Sequence, residues 1–176
     1  INTETVQTIM SGMGELHLKI LKNRMLREFN VEINTGKPMV AFYETVTRRG
    51  CGEYKFDKEI CAQRQFGYVK LEVEPAVRAT GNTVEFEMTQ SVLPKEFMGY
   101  IKEGINDGIM TGVSGGCAVK DVKIKVTDGS FDPRTSTEIA FRTAAVVAFR
   151  NAVHDAEPVL LEPVMSLDII TPTDYT

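Results

Sequence analysis

The chain has 176 residues, 43% hydrophobic and 25% charged, with 14 glycines and 7 prolines. This is the make-up of one folded domain with extra sequence, or of two small ones, and it excludes disorder, collagen and coiled coil. A formal net charge of −4 excludes a protein whose main work is non-specific attraction to phosphates, so any nucleic-acid contact is local.

The chain starts at Ile1 without an initiator Met, and a strand-like pattern begins almost at once, as expected of a piece excised from a longer protein. Thr5–Met10 carries β-branched residues and runs into Ser11-Gly-Met-Gly14, which predicts a strand and a turn. From Glu15 onward Leu18, Leu21, Met25 and Phe29 recur at three- and four-residue steps, while Lys19, Lys22, Arg24 and Arg27 fall mostly elsewhere; this predicts an amphipathic helix. Val31–Asn34 then reads as a short strand closed by Thr35-Gly-Lys-Pro38, completing a β-α-β piece.

Four strands are predicted next, at 40–46, 53–60, 68–74 and 84–88, and their succession predicts a β-meander. Val69, Leu71 and Val73 alternate with Lys70, Glu72 and Glu74, so that strand has one wet face. Pro94 opens a helix whose Phe97, Ile101, Ile105 and Ile109 form a stripe expected to face the sheet, with Gly112 at its end. A strand over 119–126 precedes an irregular loop, 127–134. Thr135-Ser-Thr-Glu138 matches the capping-box spacing, with Thr135 as cap and a long Ala- and Phe-rich helix following to about Ala156. A last strand is predicted over 164–170.

Few patterns point to chemistry. Thr35-Gly-Lys37 resembles the end of a phosphate loop, but Pro38 occupies the magnesium-reaching Ser/Thr position, so it is read as a turn. Gly112-Val-Ser-Gly-Gly116 can offer amides to an anion, yet it follows a helix instead of opening one and reads as a plain loop. His17 and His154 stand far apart without metal-ligand spacing. Cys51, Cys61 and Cys117 form no Cys-x-x-Cys pair and encode neither a disulfide framework nor zinc, which fits a reducing cytoplasm. No apolar run approaches the roughly 18–20 residues of a membrane span. Glu72, Glu74, Glu85 and Glu87 would be the acid–base site of an unrelated α/β enzyme, though their alternation reads as a solvated face. The four cations of the first helix read equally as a phosphate-binding patch or a solvent face.

Three stretches together carry a family resemblance. Ser11-Gly-Met-Gly-Glu-Leu-His-Leu18, with Arg24-Met-Leu-Arg-Glu-Phe-Asn-Val31 and Gly36-Lys-Pro38, resembles the second half of domain III of bacterial translation elongation factor G. Gln65-Phe-Gly-Tyr-Val69, Glu74-Pro75, Leu93-Pro94-Lys-Glu-Phe97, Gly129-Ser-Phe131 and Ser136-Thr-Glu-Ile-Ala-Phe141 are similar to its domain IV. Pro158–Met165 is similar to the junction into domain V.

The resemblance implies an α+β chain with three parts: residues 1–38 as the C-terminal half of a ferredoxin-like domain III, 39–163 as domain IV and 164–176 as the first strand of domain V. Domain IV would be a ribosomal-protein-like module, a β-meander plus a left-handed β-α-β unit. It further implies a cytoplasmic ribosome-binding arm of a translocase, without enzymatic activity or cofactor of its own. The GTP and magnesium would belong to a GTPase domain upstream, and the partners would be rRNA and the tRNA–mRNA pair at the decoding centre. Paralogues acting in ribosome recycling or tetracycline protection of the ribosome are the alternatives.

By the same resemblance the working tip comprises Arg64, Gln65, Phe66 and Gly67 in one loop and Phe131, Asp132, Pro133, Arg134 and Thr135 in the other. Such a tip serves every codon, so it needs stiff loops and donors to ribose and phosphate, with Ser136 among them, and little base reading. The family usually carries a His followed by Asp-Val-Asp at the second loop, whereas this chain has Asp132-Pro-Arg-Thr135. Asp132 repels phosphate where an imidazole would donate, Arg134 restores a cation, and Pro133 stiffens the loop.

Overall fold

A computed structural model describes residues 7–60, 63–88, 93–164 and 166, which fall into two units, Ile1–Ala41 and Phe42–Thr176. In the first unit the predicted helix forms as α1 (Glu15–Phe29), with Glu15 in its first turn and Arg27 in its last, each favoured by the helix dipole. Asn30 closes it in the left-handed region at φ 53, its N–H reaching the Met25 carbonyl.

The flanking strands do not form as predicted. Among residues 7–10 only Gln7 makes a bridge, the earlier part of that prediction lying outside the described residues, and Val31–Asn34 has no regular structure. A strand exists only when a second strand satisfies its amides and carbonyls, and none of the described residues does so here. Within this unit the Met39 amide donates to Gln7 Oε1 at 2.8 Å. Leu16 and Phe29 stay 72% and 71% exposed, so α1 keeps an open apolar face.

The second unit contains β1 (Tyr43–Val46), β2 (Gly50–Ile60), β3 (Gln63–Pro75), β4 (Thr83–Phe86), α2 (Lys95–Thr111), β5 (Val122–Ser130), α3 (Glu138–Asp155) and β6 (Pro158–Leu161). The class is α+β. Four strands lie in the order β2-β3-β5-β4, and β1 pairs with β6 in a separate two-stranded ribbon. The sequential pairing of a meander is therefore confined to the β2–β3 hairpin. β5 inserts beside β3, and β4 runs parallel to β5 with α2 between them, which makes the expected β-α-β unit. Val164 and the residues after it form no described strand, most of that prediction lying outside the described residues.

The alternation read from the sequence points one face of the sheet inward. Val69, Leu71, Val73, Val122, Ile124 and Val126 are fully buried, with Phe141 and Phe149 of α3 in the same core. α3 packs on β2, β3 and α2. Its close approach depends on small residues: a Cβ at Gly50 or Gly52 would collide with the backbone of Ala152 and Ala156 or of Ala148 and Ala152. The α2 stripe is buried at Ile101, Ile105 and Ile109, while the adjoining Gly104 and Gly108 sit against Ala145 and Phe149. α2 thus approaches α3 closely through its glycines, while its Ile stripe joins the core that contains the inner face of the sheet. Gly112 ends α2 at φ 66, as its position predicts.

Candidate functional site

Two segments meet at one end of the four-stranded sheet: the start of β3, Gln63 to Gly67, and the connection from β5 to α3, Phe131 to Thr137. Tyr68 pairs with Ser130 as the last rung of the β3–β5 ladder. Beyond it the Phe66 amide donates to the Thr135 carbonyl at 2.9 Å, and Phe66 and Ser136 form a parallel bridge. The Thr137 hydroxyl donates to Gln65 Oε1 at 3.2 Å and accepts from the Ala140 amide at 3.3 Å, so the N-cap of α3 is tied to the start of β3. Gly67 allows a close approach, since a Cβ there would lie 3.1 Å from the Ala140 carbonyl carbon, a tight contact. Phe131 anchors the second loop, its ring 5.9 Å from Phe97, which lies 4.7 Å from the buried Phe141.

The second loop is organised by Asp132. Its carbonyl accepts from the amides of Thr135 at 3.2 Å and Ser136 at 2.9 Å, and its own amide donates to Ser136 Oγ at 2.9 Å. Its carboxylate accepts from the Arg134 amide at 2.9 Å. That amide bond, more than any other influence, holds the Asp132 carboxyl below its ordinary range, with the Thr135 hydroxyl and the charges of Arg134 and Arg64 adding to it. The capping box predicted at Thr135 and Glu138 gives way to a simple cap two residues on, where Ala140 has no carboxylate to reach back. Thr135 is held by Phe66 and Asp132, and Thr137 caps α3. Residues 127–130, predicted as loop, extend β5 to Ser130 because Tyr68, Val69 and Lys70 provide partners for them.

The predicted RNA donors fare differently. Arg64 grips Asp57 through two bonds of 2.8 Å, which hold the Asp57 carboxyl at about 2 and raise the arginine further. Gln65 spends its oxygen on Thr137. The Phe66 ring is half-buried, with the Lys55 ammonium 5.5 Å from its centroid. Arg134 is exposed and makes no ion pair with the described residues, and Pro133 beside it is exposed too. Sequence reading missed Asp57 and Thr137. Asp57 could have been suspected from hairpin spacing, because it and Arg64 flank the β2–β3 turn on adjacent strands.

The other patterns resolve as structure. Glu72 and Glu74 pair with Arg49, Lys125 bridges Glu74 and Glu87, and Lys123 meets Glu85. Glu72, bonded to Arg49, has a lowered pKa, the opposite of what a general acid needs. The Gly112–Gly116 loop does cradle an anion, and that anion is the chain's own Glu44. On α1, Lys19 pairs with Glu15 and Arg24 with Glu28 one turn away, the habit of a solvated face. His17 accepts from the Met13 amide at 3.3 Å, and His154 is exposed near the end of α3. No group of three His, Cys, Asp or Glu among the described residues is spaced to hold a metal. Residues 35–38 lead into no helix, so they do not fit a nucleotide phosphate loop.

Residues 64–67, expected as a tip loop, are instead the first residues of β3, because the end of β2 gives them ladder partners. The fold defines an α+β module that carries, at one end, a strand start and a loop hydrogen-bonded to each other. The profile of elongation factor G, domain IV, matches residues 38–157, and that of domain III matches residues 1–37. The chain belongs to the elongation factor G family. It is 42% identical over 174 residues to elongation factor G of Chlamydia caviae and 41% identical over 172 residues to that of Aquifex pyrophilus. These alignments cover 99% and 98% of the chain but 25% of each relative, so the chain spans about a quarter of their length. A crystal structure from Thermus thermophilus superposes with a TM-score of 0.79 at 34% identity, over 90% of this chain and 24% of that one.

Proposed function

We propose that residues 39–163 are the ribosome-entering arm of a translational GTPase that moves tRNA and mRNA during protein synthesis, with residues 1–38 the end of domain III and 164–176 the start of domain V. The observation that carries this reading is the joining of the start of β3 to the 131–137 loop through Phe66 and Thr135. An arm that displaces a nucleic-acid duplex has to resist bending at its tip, and a backbone bond from strand to loop supplies that resistance. The tip is Arg64 to Gly67 with Phe131 to Thr135. Arg134 meets RNA phosphate, and the exposed loop edge follows ribose and backbone without reading bases. No residue here acts on nucleotide; GTP and its magnesium belong to the remainder of the full-length protein.

The test is the full-length protein with Asp132–Thr135 replaced by four glycines. Single-turnover movement of tRNA and mRNA should slow by at least about tenfold, the loss expected from one charge-assisted contact, while ribosome-stimulated GTP hydrolysis keeps its rate. Unchanged movement would overturn the reading.

A second reading is favoured by Asp132, which stands where the family usually carries His. A paralogue specialised for ribosome recycling or for protecting the ribosome from tetracycline would lose subunit splitting or drug release in the same loop variant and show little translocation even before substitution.

A further inference from the structure

The second tip loop contains an aspartate whose carboxylate, poorly suited to touching RNA, accepts from the Arg134 amide, while its backbone makes three further bonds within the loop. Asp132 takes part in four hydrogen bonds within five residues, to Arg134, Thr135 and twice to Ser136. Ser136 is in turn bridged to Phe66 on β3. Pro133 removes one backbone torsion from the same stretch. The exposed Arg134 side chain therefore leaves from a backbone fixed on both sides, and Arg64, the other cation of the tip, is taken up by Asp57.

From this geometry we infer that Asp132 is a positioning residue for Arg134: its carboxylate clamps the Arg134 amide and holds the loop so that the guanidinium is presented to the RNA phosphate backbone, while Asp132 itself makes no RNA contact. The inference rests on the tip reading above and assigns a role that a His at this position would fill by direct contact instead. Ordering a long cation in advance lowers the entropy lost on binding, which is how a loop with a single cation can still engage a phosphate firmly.

The experiment uses the full-length protein and single-turnover translocation, with hydrogen exchange of the Arg134–Ser136 amides as a second readout. Asp132→Ala should lose about tenfold in rate, in the range of one charge-assisted contact, and should lose amide protection. Asp132→Asn keeps an oxygen for the Arg134 amide and should recover most of both. The double variant Asp132→Ala/Arg134→Ala should be no slower than Arg134→Ala alone, because the aspartate acts through the arginine. If Arg134→Ala is slow and Asp132→Ala is as fast as the parent, or if the double variant shows the product of the two losses, positioning is overturned and the tip reading stands. If Arg134→Ala itself moves tRNA at the parent rate, the tip reading falls and the positioning role with it.

Discussion

Glu44 and Gly115, 71 residues apart, are joined by a 2.7 Å hydrogen bond from the Gly115 amide to Glu44 Oε1. The same carboxylate accepts from the Val113 amide at 2.9 Å and from that of Ser114, and the Glu44 backbone pairs with Ala118 and Lys120. A fully buried carboxylate on β1 thus fills the loop that follows α2. Successive amides pointed at one anion do for Glu44 what they do for phosphate elsewhere.

Glu44→Ala should then cost about 3 kcal/mol or more, since it leaves several amides without an acceptor. Glu44→Gln, which keeps one oxygen but turns an NH2 toward a donor, should cost less. Urea denaturation of the 176-residue chain measures both, and an alanine variant within about 0.5 kcal/mol of the parent, the range of ordinary surface changes, would contradict this account.

Two glycine substitutions should have opposite signs. Gly52→Ala puts a methyl into the backbone of Ala148 and Ala152, and overpacking of this kind costs about 1–3 kcal/mol or more. Gly99, inside α2 with nothing within 4 Å of a built Cβ, should gain about 0.5–1 kcal/mol as alanine through helix propensity. Thermal unfolding of the two variants side by side checks the contrast.

These cases separate what periodicity conveys from what it cannot. Alternation at Val69, Leu71 and Val73 and fourfold spacing at Ile101, Ile105 and Ile109 report which face is buried, and those residues are buried. Neither pattern reports the neighbour. The β5 strand enters between β3 and β4, and no local signal marks an insertion set by contacts some 50 residues apart. The N-cap of α3 slipped from Thr135 to Thr137 for a similar reason: both threonines suit the role, and only the long-range bonds to Phe66 and Gln65 decide between them. The resemblance named residues 64–67 and 131–135 together, and the structure joins them, with the first group in strand β3 and not in a loop. That Arg64 pairs with Asp57 on the exposed strand face and Gln65 with Thr137 follows from cross-strand and strand-to-helix geometry that composition does not carry.

Tyr68 donates its hydroxyl to Glu53 at 2.7 Å, and that bond, with burial and the glutamate charge behind it, pushes the phenol up to about 12. The folded state therefore holds this proton more tightly than the unfolded chain does. Its contribution to stability is complete below about pH 10, the ordinary phenol value, and disappears as pH rises through about 12. Glu53→Gln should bring the ultraviolet titration of Tyr68 back toward the ordinary value; an unchanged titration would dismiss the pairing.

The clamp between Asp57 and Arg64 makes the opposite prediction at the acid end. Two bonds of 2.8 Å hold the carboxyl at about 2, so the folded state favours the ionised form. The stabilisation is fully present above the ordinary Asp value of about 4 and is lost as pH falls toward about 2. Both side chains face water, where salt screens the pair, so Arg64→Ala should leave the unfolding midpoint at neutral pH nearly unchanged. The effect belongs in the titration: carboxyl-carbon NMR should find Asp57 near 2 in the parent chain and near its ordinary value in Arg64→Ala. An Asp57 that titrates at its ordinary value with Arg64 in place would free the guanidinium for RNA and return Arg64 to the set of contacting residues.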